Sequence, residues 1–276
     1  MATIKTDQKD RREAQKRSAP RAAAVYETIR HECEDELERS SAGLSWSGLA
    51  AGLSMGFSFL AEALIHARLP DAIWRPLIAE FGYSVGFLIV ILGRQQLFTE
   101  NTLTPILELL NRWDHKTLKN VGRLWGIVLA ANLLGGFIFA WVLGSTNVVD
   151  GEMQQALTEV GYQALAGGFW TTLLRGIFAG WLIALMVWLL PFAETARVGV
   201  IIIITYLIGI GEFPHIIAGS IEVLYLVVIG EATWSQFITT FFLPTLLGNT
   251  IGGVTLVAAI NYAQVASDQP TDRYDA

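Results

Sequence analysis

The chain has 276 residues, of which 53% are hydrophobic and only 16% charged, with a formal net charge of −6. That balance excludes an ordinary soluble globule and, with no basic stripe on a foldable surface, a nucleic-acid partner. The single cysteine, Cys33, excludes an internal disulfide and stands in no metal or catalytic cluster.

Residues 1–20 (MATIKTDQKDRREAQKRSAP) lack an apolar core. They are a basic tail, not a signal peptide. Residues 21–40 can form an amphipathic helix with Val25, Ile29 and Leu37 on part of one face. It would dock, lie on the membrane, or extend into solvent. Its acid-rich run ECEDELE (32–38) is expected to be a solvated face and not a metal site, and Cys33 within it a solvent-side residue.

Six hydrophobic segments follow, near 43–66, 81–110, 121–144, 169–190, 199–229 and 237–262. Runs of about 20 apolar residues cross a bilayer, so the fold class is an all-α polytopic membrane protein. Three regions are expected: a cytoplasmic N-terminal tail with its helix (1–42), a six-helix pore region (43–262) and a cytoplasmic C-terminal tail (263–276). The second and fifth segments are too long for one straight span. Each is interrupted by polar residues, QQLFTEN (95–101) and EFPHIIA (212–218). Lys and Arg are dense in residues 1–40 and in the 111–123 connection, while the opposite loops hold only Arg68 and Arg75. The positive-inside bias therefore puts both termini in the cytoplasm, in a bacterial-type inner membrane.

The two halves are alike. AANLLGGFIF holds Asn132, Gly135 and Gly136; LGNTIGGVTL holds Asn249, Gly252 and Gly253, 117 residues on. The same offset carries QQLFTEN onto EFPHIIA. GLSMG (52–56) matches GIFAG (176–180). Three spans per half insert in opposite senses, so the expectation is two inverted three-helix repeats with helices 2 and 5 broken. Broken helices at matching positions mark the midplane site of transporters and channels, and irregular backbone at that depth belongs inside protein or along a cavity.

The residues at the breaks carry the chemistry. His215 is a titratable group in an apolar segment, which is costly unless used or paired. Thr99 offers a hydroxyl, either to a permeant or as an N-cap for TLTPILELL. Arg175 either snorkels to headgroups or gathers anions. Arg94 pairs with Glu100 or Glu212, or faces a pore, and Glu212 is expected to pair inside the protein. Asn132 and Asn249 are read as structural clamps on the loops, because an amide both donates and accepts.

LFTENTLTPI (97–106), FPHIIAGS (213–220) and LGNTIGG (247–253) resemble the signatures of the formate/nitrite transporter family. The long charged N-terminus and the form FPHIIAGS are most similar to its YfdC-like branch. The resemblance implies an aquaporin-like protomer with its own pore, a homopentamer, and passage of small monovalent anions or their acids with protons. It also implies that Thr99 and His215 face the pore, with constrictions near Tyr83, Phe87, Leu97 and Ile208. Two positions depart from the family pattern: Ala164 stands where a lysine is usual, and Pro214 precedes the histidine.

The expected function is thus a channel or proton-coupled transporter for small anions or weak acids of the formate, nitrite and hydrosulfide class. The alternatives are a conduit for neutral solutes and a non-conducting scaffold. No nucleophile–base pair, phosphate loop or metal cluster points to an enzyme, and no cofactor is called for.

Overall fold

The computed structural model describes residues 20–267, and every element within them is helical. The first is α1 (Ala22–Glu38), which buries Val25, Tyr26, Ile29, Cys33 and Leu37 along one stripe. Cys33 is therefore a buried residue and not a solvent-side one. It follows Ile29 by one helical turn and sits on the same face.

The first segment is α2 (Ser41–Arg68), begun by Ser40, whose hydroxyl accepts from Gly43 N. The second segment enters through a short helix, α3 (Arg75–Ala79), and continues as α4 (Ser84–Leu92). After the break it resumes as α5 (Thr104–Arg112). The third segment is α6 (His115–Ser145), started by Asp114, whose carboxylate accepts from Lys116 N and Thr117 N.

Residues 145–168, expected to be a loop, contain α7 (Gly151–Leu165). Met153, Ala156, Leu157 and Val160 are buried on it, at helical spacing, facing α2 and α10. Then come α8 (Phe169–Leu189), α9 (Arg197–Ile210) and α10 (Ala218–Ile229), the last two being the halves of the fifth segment. The sixth, α11 (Trp234–Ser267), passes through two wider π-type turns, Phe237–Phe242 and Gly252–Ala259. Pro244 has no N–H to close the turn behind it, and the first widened stretch lies there. Among the described residues, five helical stretches are long and apolar enough to cross a membrane. α9 and α10 are shorter, as the halves of a broken span should be.

Both breaks are made in the same way. At the end of α4, Arg94 has φ 52°; its N–H donates to Ile91 O at 3.2 Å and Gln95 N–H to Val90 O at 3.0 Å. At the end of α9, Glu212 has φ 49°; its N–H donates to Gly209 O at 2.8 Å and Phe213 N–H to Ile208 O at 3.1 Å. These are Schellman caps with a charged residue in the left-handed position. A non-glycine residue there costs about 1 kcal/mol.

Candidate functional site

The two breaks meet in the core. Thr99 Oγ1 lies 2.7 Å from His215 Nε2, and both residues are fully buried. His215 Nδ1 accepts from Ile217 N–H at 3.3 Å and Ala218 N–H at 3.2 Å, at the start of α10. An acceptor Nδ1 fixes the neutral ring with its proton on Nε2, so the imidazole donates to the threonine hydroxyl. Thr99 caps no helix, since its side chain makes no cap bond and α5 begins only at Thr104. Phe87 meets the imidazole edge-on, ring centroids 5.0 Å apart, and Tyr83 lies beside Phe87 at 5.3 Å. Phe87, Leu97 and Ile208 are all buried.

Each break is held by one asparagine. Asn132 Oδ1 accepts from Phe98 N–H at 2.9 Å, while its Nδ2 donates to Gln96 O at 2.9 Å and Gly48 O at 2.7 Å. Asn249 Oδ1 accepts from Ile216 N–H at 2.9 Å, while its Nδ2 donates to Pro214 O at 2.9 Å and Gly176 O at 2.9 Å. The freed backbone groups thus have partners. These contacts set the correspondence between halves one residue away from the expected register. Gln96 answers Pro214 and Phe98 answers Ile216, so Leu97 is the counterpart of His215. Gly52 answers Gly180, not Gly176: a methyl group on either would run into the carbonyl of the clamping asparagine.

Two cavities flank the Thr99–His215 contact, and neither is lined by Phe87 or Leu97. On the side carrying α7, a cavity of about 70 Å³ is lined by Tyr83, Ile208, His215 and several carboxyls. On the side carrying α1, about 320 Å³ is lined by Glu36, Arg94, Gln96, Glu100 and others. Arg175 lies in the α7-side cavity 3.0 Å from Glu212, and Glu212 is 64% exposed rather than internal. Its left-handed backbone turns it out to the cavity mouth. Arg94 pairs with neither Glu100 nor Glu212. It reaches Glu32 of α1 at 3.5 Å, because α1 covers the break.

α1 also supplies residues that the sequence reading missed. Glu36 accepts from Gln96 Nε2 at 3.0 Å and from Thr104 Oγ1 at 3.3 Å, so the acid-rich run is only partly a solvated face. Glu62, Glu80 and Glu222 line the α7-side cavity. The available signal was simple: Glu62 and Glu222 are acids inside apolar segments, which are functional candidates by default.

The model of the formate/nitrite transporter family matches residues 23–263. The inner membrane protein YfdC of Escherichia coli is 43% identical over 256 residues, 92% of this chain and 82% of that protein. The formate channel BtFdhC of Bacillus thuringiensis is 25% identical over 225 residues, 78% of this chain and 84% of that one. Among solved structures, a pentameric formate channel with formate bound shares the fold, with a TM-score of 0.71 at 20% identity over 82% of this chain and 98% of that one. With six apolar segments, two of them broken at a shared histidine–threonine contact, the chain is a multi-pass membrane protein that belongs to the formate/nitrite transporter family.

Proposed function

We propose that the chain is a pore for small monovalent anions or weak acids of the formate, nitrite and hydrosulfide class. The carrying observation is the Thr99–His215 contact, buried beside Phe87 between two cavities. Two inverted three-helix repeats, each broken and clamped by one asparagine, form the protomer. Five protomers assemble, each with its own pore, and both termini lie in the cytoplasm. The pentameric relative and the bias of Lys and Arg support these last points.

At the centre, His215 donates its Nε2 proton to Thr99 Oγ1, which leaves the threonine hydroxyl hydrogen for the permeant. Phe87 and Leu97 close the path to charge, because an ion without partners in an apolar constriction is expensive. A weak acid passes there as its neutral form. His215 acts by hydrogen bonding and not as a proton relay: Nδ1, which a relay would have to protonate, faces two N–H donors.

Flux into proteoliposomes of the purified chain tests this, with formate, nitrite, hydrosulfide and chloride at about pH 5 and about pH 7.5, beside His215→Ala. Uptake of the weak acids, higher at the lower pH and lost in the variant, is expected. A folded oligomer that passes none of them would remove the proposal. A conduit for neutral solutes is the second reading. Ala164 in place of the family's lysine and the carboxyl-rich cavity favour it. Solute-driven swelling without weak-acid flux would establish it.

A further inference from the structure

The α7-side cavity carries a cluster of carboxyl groups that the weak-acid reading does not use. Four carboxyl side chains line it, those of Glu62, Glu80, Glu212 and Glu222, against one cation, Arg175. Arg175 is committed to Glu212 at the exposed mouth. Among the described residues, no cation pairs with Glu62, Glu80 or Glu222. Glu222 is only 6% exposed, and its Oε1 has no hydrogen-bond partner among the described residues. A buried carboxyl oxygen without a donor costs free energy, so a ligand that brings donors is favoured there. His215 cannot serve, since both ring nitrogens are engaged. Gly209 leaves room for the Glu80 carboxyl, which a methyl group at that position would strike. Tyr83, Phe213 and Phe241 also line the cavity. The space inside the mouth, about 70 Å³, suits a ligand of few atoms.

We propose that this cavity is a binding site for a small monocation that donates N–H hydrogen bonds, of the ammonium class, held by Glu222, Glu62 and Glu80. It goes beyond the weak-acid reading and does not depend on it. An ammonium ion supplies both the missing positive charge and the missing donors. A spherical cation such as potassium supplies only the first.

The test is equilibrium binding of radiolabelled methylammonium to the full chain in detergent or nanodiscs, at constant ionic strength. Saturable binding is expected, displaced by ammonium and poorly by potassium, and weakened by about tenfold or more in Glu222→Gln. Glu62→Gln is the second variant, should the first fail to assemble. No saturable binding to the folded wild-type chain would overturn the proposal. So would binding unchanged in both variants, or displacement by potassium as effective as by ammonium. Formate flux from the same preparation is read separately, so loss of flux with methylammonium binding intact counts against the weak-acid reading alone.

Discussion

Asn132 and Asn249 make the same three hydrogen bonds to three equivalent backbone groups, one asparagine in each half of the chain. Each spans a helix break and the neighbouring first helix of its own half. The break is thereby locked to the scaffold at both ends. Replacing Asn249 by leucine keeps the size and leaves Ile216 N–H and Pro214 O at the break unpaired, while Gly176 O keeps its partner within α8. The expected loss is about 2–6 kcal/mol, read as a fall in thermal stability and in oligomer yield. Asn132→Leu should cost a similar amount. A variant as stable as wild type would refute the clamp.

Close helix approach depends on particular glycines. A methyl on Gly52 or Gly180 runs into the carbonyl of Asn132 or Asn249, and one on Gly135 or Gly252 into the carbonyl of Leu49 or Ile177. These contacts are to backbone, which cannot swing aside. Gly52→Ala and Gly180→Ala should each cost about 1–3 kcal/mol or more. Gly122 and Gly126, on α6, have nothing within 4 Å. Alanine there should be neutral or stabilising, by up to about 1 kcal/mol in an exposed helix. Thermal unfolding of the four variants, side by side, separates packing from helix propensity.

Much of this was legible in the residue order. The two breaks, the His215–Thr99 pair and the asparagine before each Gly-Gly stand out because polar and helix-breaking residues are rare in apolar segments. The register between halves was off by one at the breaks, because nothing in a string of residues says which carbonyl an amide will reach. α7 has its apolar positions at helical spacing, yet glutamines and glutamates dilute them below a membrane signal. The carboxyl-lined cavity was illegible for a different reason. Glu62, Glu80 and Glu222 come from three separate stretches of chain, and only the packing of α2, the end of α3 and α10 brings them to one space.

The Thr99–His215 contact can be tested without changing shape. Thr99→Val keeps the volume and removes the acceptor of the Nε2 proton. The imidazole is then left buried with an unused donor, a cost of about 1–3 kcal/mol. Weak-acid flux should fall with it. Thr99→Ser retains the hydroxyl and should retain most flux. Equal flux through the valine and serine variants would deny the hydroxyl any part in permeation.

The docking of α1 should depend on pH through Glu36. Burial pushes its carboxyl above the ordinary carboxylate range, while the bonds from Gln96 and Thr104 act in the opposite sense. A raised value in the docked state means that docking favours the protonated form. The contribution is therefore fully present below the ordinary value, near 4.5. It is lost as pH rises through the raised one. Cys33 reports on this directly, because it is the only cysteine and lies on the buried face of α1 itself. Its thiol is itself pushed up by burial and by the neighbouring Glu36, so its labelling by a maleimide requires α1 to open. Labelling of the native protein should accelerate with pH more steeply than labelling of the denatured chain. Glu36→Gln, which stays neutral, should bring the native slope back towards the denatured one. If the two native slopes coincide, Glu36 does not govern the docking of α1.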